Sequence, residues 1–261
     1  MTGNEIPALI NDTARLLLEA RFVVAFTGAG ISTLSGIPDF RSAHGGLWNK
    51  DDPMRVASAT AFHNHPERFY NWLRPLLRVS HSAKPNPAHK ALAELERLHI
   101  VKAVITQNID GLHQKAGSGE VIELHGSLET FACPHCQYQS GSNNREVSEI
   151  LAGGMPRCPI CVAIMKPGIV LFEEMLPVGA WNRAETLISQ ADILLVVGSS
   201  LQVVPASNLV DQAYRAGSKI VINNLSDTFM DEFATYLIHQ DVALTLPKLL
   251  NEINSQRKNP N

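Results

Sequence analysis

Four short apolar runs recur along the chain: FVVAF (22–26), VKAVIT (101–106), ILLVVG (193–198) and KIVIN (219–223). Between them lie helical patterns such as PAHKALAELERL and PASNLVDQAYRAG, the second stopping at Gly217, a residue type that ends helices readily. β-Branched runs that lack polar alternation, separated by helices, predict a parallel sheet covered on both faces. The expected fold class is therefore α/β, a doubly wound domain. Near the start, Leu9, Asp12/Thr13, Leu16 and Leu17 follow the spacing of a surface helix with one apolar face.

Two stretches break the rhythm. Residues 42–85 are rich in His, Asn, Trp, Phe and Pro, with helical stretches but no strong strand, and read as an inserted lid. Residues 131–165 hold all four cysteines and read as a second, smaller insertion. The expected division is 1–41, 86–130 and 166–261 for the large domain, with 42–85 and 131–165 together forming a small one.

Composition narrows the function classes. A chain of 261 residues with 45% hydrophobic content has enough apolar surface for one sizeable core and a small appended module. A net charge of −3 argues against a protein that grips phosphate backbones, which needs concentrated Lys and Arg. No apolar run approaches the roughly 18 residues of a membrane span, and the N-terminus carries no basic leader ahead of an apolar core. These features predict a cytoplasmic protein, a monomer, with neither nucleic acid nor membrane as a direct partner.

The cysteines form two knuckles, Cys133/Cys136 in CPHC and Cys158/Cys161 in CPIC. Paired Cys-x-x-Cys motifs suit tetrahedral zinc held by four thiolates, and four protein ligands leave no position for a reacting water, so the zinc would be structural. Two disulfides or redox pairs are the alternative, disfavoured where thiols stay reduced. His135, inside the first knuckle, is an alternative ligand.

The carboxyl ends of the predicted strands carry the other chemistry. After the first comes TGAGISTLSGIPDFR (27–41), where Gly28, Ala29 and Gly30 allow backbone to approach a pyrophosphate. The dinucleotide fingerprint is incomplete, since Thr33 stands where a third glycine would be, and such glycines also serve simply to make a turn. Asp39, Phe40 and Arg41 add a carboxylate, an aromatic and a guanidinium beside it. The run VITQNIDGLH ends in Gln107, Asn108, Ile109 and Asp110; later runs end in Gly198, Ser199 and Ser200, and in Asn223 and Asn224. Ligands of open α/β sheets bind at such strand ends, and together these residues point to a nucleotide.

GAGIS with GIPDFR, TQNIDGLH, ELHG, the two cysteine knuckles, GSSL and Asn224, in this order from about Phe22 to Val242, resemble the sirtuins, NAD-dependent protein lysine deacylases of bacterial or archaeal type. The resemblance implies a Rossmann-type large domain, a small domain of helical lid plus zinc ribbon, and a cleft between them. It assigns NAD as cosubstrate to Ala29, Thr33, Phe40 and Arg41, with Gln107 near the ribose and Asn108, Ile109 and Asp110 around the nicotinamide. Ser199, Ser200, Asn224 and Val242 would reach the phosphates and adenosine. His125 would be the general base that activates a ribose hydroxyl, an imidazole being suited to that near neutrality. Products would be the free lysine, nicotinamide and O-acyl-ADP-ribose, and partners would be acyl-lysine proteins or peptides.

The resemblance places the acyl-lysine along KPGIVLFEEMLP (166–177), with Val170 and Phe172 on one side and Val203 and Val204 facing them. Relatives commonly read Phe-Gly-Glu where this chain has Phe172, Glu173 and Glu174. The extra carboxylate raises the expectation that basic residues flank the acyl-lysine. Members that remove acidic acyl groups carry Tyr-x-x-Arg in the lid, whereas here Tyr70 is followed three positions on by Leu73, with Arg74 displaced by one. Neutral acyl groups are therefore expected. The alternatives are an ADP-ribosyltransferase or NAD hydrolase using the same cleft and, from another class, a zinc-ribbon binding module without catalysis.

Overall fold

The computed structural model describes residues 5–39, 52–141 and 145–258. Its strands are β1 (Val23–Thr27), β2 (Val101–Thr106), β3 (Val121–Glu123), β4 (Gly126–Ala132), β5 (Gln139–Ser140), β6 (Lys166–Ile169), β7 (Ile193–Val197), β8 (Lys219–Asn223) and β9 (Tyr236–Ile238). Six of them form one parallel sheet in the order β3-β2-β1-β7-β8-β9, the strand order of a Rossmann-type domain. The four predicted runs supply its interior strands. The two edge strands, each of three residues, are too short to show a periodicity in the sequence.

Alternation along each strand sends side chains to opposite faces. Val23 and Ala25 of β1 and Ile193, Leu195 and Val197 of β7 enter one core. There they meet α1 (Glu5–Glu19), α5 (Pro87–Arg97) and α10 (Val242–Lys258) through Leu17, Leu92 and Leu246. Val24 and Phe26, with Leu194 and Val196, enter the other core, against α8 (Val178–Gln190) and α9 (Asn208–Arg215). Burial on both faces is why these strands carry no polar alternation. Among the described residues, no helix is long and apolar enough to cross a membrane.

The remaining strands form a three-stranded antiparallel sheet, β5-β4-β6. It runs from Gly126 to Ile169, past both expected limits of the second insertion. Among the described residues, the inserted parts also hold α2 (Pro53–Val56), α3 (Ala59–Asn64), α4 (Pro66–Ser82) and α7 (Arg145–Leu151), while α6 (Leu112–Ala116) follows the polar end of β2. One core joins both insertions: Phe69, Tyr70, Leu73 and Leu77 of α4 pack with Phe131 of β4, Ile150 of α7, and Met165. Those α4 positions recur at helical spacing, so one face of the lid helix is committed to the cysteine-bearing sheet.

Asn86 links α5 to the turn after β1. Its Oδ1 accepts from Ala88 N at 2.9 Å, capping α5, while its Nδ2 donates to Ile31 O at 2.7 Å; one buried amide thus starts a helix and anchors the turn after β1.

Phe69 is fully buried and meets Phe62 and Tyr70 edge-on, with ring centroids 5.1 and 5.2 Å apart. Truncation there removes the ring on which both insertions pack. Phe69→Ala is expected to cost about 3–5 kcal/mol, measured as a lowered midpoint of urea unfolding; an unchanged midpoint would contradict the shared core.

Candidate active site

The turn after β1 lies where the two halves of the parallel sheet diverge, between the carboxyl ends of β1 and β7. Gly30 N donates to Gly198 O at 2.8 Å and Gly28 N to Val197 O at 3.3 Å. A Cβ on Gly30 would sit 2.8 Å from Gly198 O, and one on Gly198, at φ +59°, would sit 2.4 Å from Ile31 N. These glycines are required by contact of backbone with backbone. Their amides are occupied within the fold, so a phosphate would meet the surface that they, Ala29 and Thr33 leave open.

The polar end of β2 is held to this turn. Gln107 N donates to Thr27 O at 3.0 Å and Gln107 Nε2 to Ser199 Oγ at 3.1 Å. Asn108 Nδ2 donates to Gly28 O at 3.1 Å and to Ser32 Oγ at 3.2 Å, and the Ser32 hydroxyl donates to Asp110 Oδ2 at 2.7 Å. Burial raises the pKa of Asp110 above the ordinary carboxylate value, against the lowering effect of the Ser32 and Leu112 hydrogen bonds.

His125 follows Leu124, whose N–H bonds to Thr106 O at 2.9 Å. The contact between His125 Nδ1 and Gln107 O is 2.9 Å; a carbonyl can only accept, so Nδ1 carries the proton and Nε2 is the lone-pair nitrogen of the neutral ring. His125 O accepts from Val170 N at 2.8 Å. The next residue, Gly126, is at φ +74°, and a Cβ on it would lie 1.9 Å from Gly168 O, so this glycine lets β6 approach the histidine.

Two cavities meet at His125. The polar one, about 450 Å³, is lined by Gly28, Ala29, Gly30, Thr33 and Asp39 from the first turn, by Gln107 and Asn108, and by Gly198, Ser199 and Ser200. Asn224 and Val242 close its far end with Leu225, Ser226 and Asp241. The apolar one, about 660 Å³, contains Val170, Phe172, Val203 and Val204, with Trp72, Leu76, Ile109 and Trp181 among its other walls. Gln107, His125 and Val203 belong to both.

The structure thus brings together nearly all of the expected cofactor residues. Ile109 faces the apolar cavity, and Asp110 lies behind the wall, bonded to Ser32. Phe40 and Arg41 lie outside the described residues. Of the two asparagines ending β8, Asn224 lines the cavity while Asn223 Nδ2 bonds to Ile238 O at 3.0 Å and Gln240 O at 2.9 Å, tying β8 to the segment that follows.

The four cysteine sulfurs lie within 4.8 Å of one another. Cys133 Sγ to Cys161 Sγ and Cys136 Sγ to Cys158 Sγ are each 3.4 Å, far beyond a disulfide bond of about 2.05 Å. The N–H groups of Cys136 and Ile160 point at Cys133 Sγ and Cys158 Sγ, both at 3.4 Å, which favours thiolate. Four clustered sulfurs with amides aimed at them suit a tetrahedral zinc with Zn–S bonds of about 2.3 Å.

Comparison with known proteins places this arrangement. A model of the Sir2 family matches residues 28–205. The chain is 42% identical over 247 residues to the NAD-dependent protein deacetylase 1 of Pyrobaculum aerophilum, covering 94% of each chain. The chain belongs to the Sir2 family. It is also 43% identical to the NAD-dependent protein deacylase 2 of Archaeoglobus fulgidus, over 95% of this chain and 97% of that one. A solved Sir2–p53 peptide–NAD+ structure superposes with a TM-score of 0.85 at 40% identity, covering 94% of this chain and 98% of that one.

In this Sir2-family chain a buried histidine pair supports the site from behind. The His113 Nε2 to Thr27 Oγ1 distance is 2.9 Å, and the His113 ring stands 5.0 Å from that of His89, whose Nε2 is 3.4 Å from Ser32 Oγ. At the end of NIDGLH, His113 is ambiguous from the sequence; the helical spacing of PAHKALAELERL places His89 beside buried Ala88 and Leu92, a signal that it faces inward. Burial lowers the pKa of His113 to about 3, with the neighbouring His89 adding to the effect, and burial lowers that of His89 to about 4. Below about pH 6.5 the unfolded chain takes up protons that the folded rings refuse, so stability falls as pH drops from about 6.5 toward these values. His113→Gln is expected to lose about 1–2 kcal/mol less than wild type between pH 7 and pH 5, measured by urea unfolding at both pH values. Parallel losses would assign the pH dependence elsewhere.

Proposed function

We propose that this chain is an NAD-dependent protein lysine deacylase that moves a neutral acyl group from lysine to ADP-ribose, releasing nicotinamide and O-acyl-ADP-ribose. The observation that carries this reading is the meeting of a polar and an apolar cavity at one histidine. The polar cavity has the hydroxyl and amide groups a dinucleotide needs, from Ser199 and Ser200 to Asn224. The apolar cavity has the walls an acylated lysine stem needs.

NAD, when bound, supplies the ribose carbon that accepts the acyl oxygen and the hydroxyl that finally carries the acyl group. The protein's part is to hold and time. Val170 and Phe172 with Val203 and Val204 enclose the lysine stem, and the backbone near Phe172 pairs with the peptide as an added strand. His125, held in one tautomer by Gln107 O, presents the nitrogen that can take a ribose hydroxyl proton. Asn108, fixed by Gly28 O and Ser32 Oγ, orients its wall of the nicotinamide end beside Ile109 and Asp110. The cysteine cluster lies away from both cavities, so its zinc braces the small domain.

The division proposed for these roles is the Rossmann-type part, 1–41, 86–130 and 166–261, for NAD, and the two insertions, 42–85 and 131–165, as one small domain; the core shared by Phe69, Phe131 and Ile150 supports it. We place the protein in the cytoplasm, where the thiolates of such a metal site stay reduced. The net charge of −3 supports acyl-lysine proteins rather than nucleic acid as partners, and we take the working unit to be a monomer.

An acetyl-lysine peptide incubated with the protein and NAD should lose its acetyl group only when NAD is present, with O-acetyl-ADP-ribose appearing in the mass spectrum. His125→Ala should lower kcat by roughly 100-fold or more. Nicotinamide release from an intact acetyl peptide would instead favour ADP-ribosyl transfer or NAD hydrolysis.

Acyl choice follows from α4. Tyr70 is fully buried and its hydroxyl donates to Met165 O, while Arg74 Nε donates to Ile150 O at 2.6 Å and its Nη1 to Asn71 Oδ1 at 2.8 Å. Both polar groups turn to the cysteine-bearing module, and the α4 residues lining the apolar cavity are Trp72 and Leu76. Among the described residues that line this cavity there is no Lys or Arg, so an acidic acyl tail would be desolvated there without a cation from them. Acetyl peptide should be turned over at least about tenfold faster, in kcat/KM, than a succinyl peptide of the same sequence; the reverse order would place a cation in the cavity.

A further inference from the structure

Glu173 has a glycine-like backbone, φ +74°, in a region that residues with side chains rarely adopt. Its carboxylate has a definite use. Oε2 accepts from Thr60 N at 2.9 Å, in the first turn of α3, where N–H groups have no partner within the helix. Ser58 Oγ accepts from the next one, Ala61 N, at 3.0 Å, so the two side chains satisfy successive amides. Beside this contact, Phe172 N donates to Ala57 O and Ala59 N to Phe172 O, both at 3.0 Å. On the other side Glu174 Oε2 accepts from Leu171 N and pairs with Lys166 Nζ, both at 2.8 Å. Residues 171–174 are thereby tied to the helical insertion through the Phe172 backbone and the Glu173 carboxylate, and to β6 through Glu174.

We propose that Glu173 is a positioning residue: by accepting the Thr60 N–H it holds the strand that binds acyl-lysine in register against the helical insertion. The proposal rests on the reading of the apolar cavity as the acyl-lysine site. It also changes the expectation that Glu173 attracts basic residues flanking the acyl-lysine, since the carboxylate is engaged by the fold. Glycine here would relieve the backbone and leave only the Phe172 bonds; this chain adds the Thr60 bond at the expense of an unfavourable φ.

The test compares Glu173→Ala, Glu173→Gly and Glu173→Gln with wild type in three readouts: KM for an acetyl-lysine peptide, KM for NAD, and hydrogen exchange of the Thr60 amide. The Ala and Gly variants should raise the peptide KM about three- to tenfold, leave the KM for NAD within about twofold, and speed Thr60 exchange. Gln keeps an acceptor oxygen and should restore both the peptide KM and the slow exchange. A Gly variant with wild-type peptide KM overturns the proposal, as does a Gln variant as impaired as Ala, which would indicate that charge acts directly on the peptide. A wild-type chain that neither binds nor deacylates the peptide overturns the deacylase reading and the substrate role with it, while Thr60 exchange still decides whether the tie exists.

Discussion

The hydrogen bond from Gly30 N to Gly198 O, 2.8 Å long, is the contact on which the site's geometry depends. It joins the turn after β1 to the end of β7, where the sheet's two halves part and a crevice opens at the strand ends. Side chains on Gly30 or Gly198 would force backbone atoms apart. With the two turns in contact, Gln107 can reach Ser199 and Asn108 can reach Gly28. The cofactor wall is thus a set of mutually bonded strand ends, rigid because each is fixed by its neighbour.

His125 stands between two structural systems. Leu124 continues the β2 edge of the parallel sheet, whereas Gly126 begins the small antiparallel sheet. Its backbone carbonyl accepts from Val170 N, while its ring bonds Gln107 O. A titratable ring placed where the two sheets meet is thus open to both cavities at once.

The helical insertion supplies part of the apolar cavity's wall. Packing α4 on the cysteine-bearing sheet turns Tyr70 and Arg74 inward and leaves Trp72 and Leu76 for the apolar cavity. The cysteine cluster belongs to the sheet against which that helix packs. The buried His89 and His113 pair has a comparable supporting role behind the polar wall, where burial keeps both rings neutral.

Much of this was written locally. The apolar runs required a sheet buried on both faces, because nothing polar interrupts Val23–Phe26 or Ile193–Val197. The knuckles carried their metal chemistry in their spacing, and the order of GAGIS, TQNIDGLH and ELHG carried the family. Local sequence could not show which polar strand-end residues face the crevice. Asn223 and Asn224 are adjacent and chemically identical, yet one ties β8 to its neighbour and the other lines the cavity. Nor could it show that Asp110 lies behind the wall, that His89 and His113 share a pocket, or that Glu173 bonds an amide 113 residues away in the chain. Periodicity and short motifs register neighbours along the chain, so they determined the elements and their chemistry. Direction at a strand end depends on contacts between distant segments, and only the tertiary structure decided it.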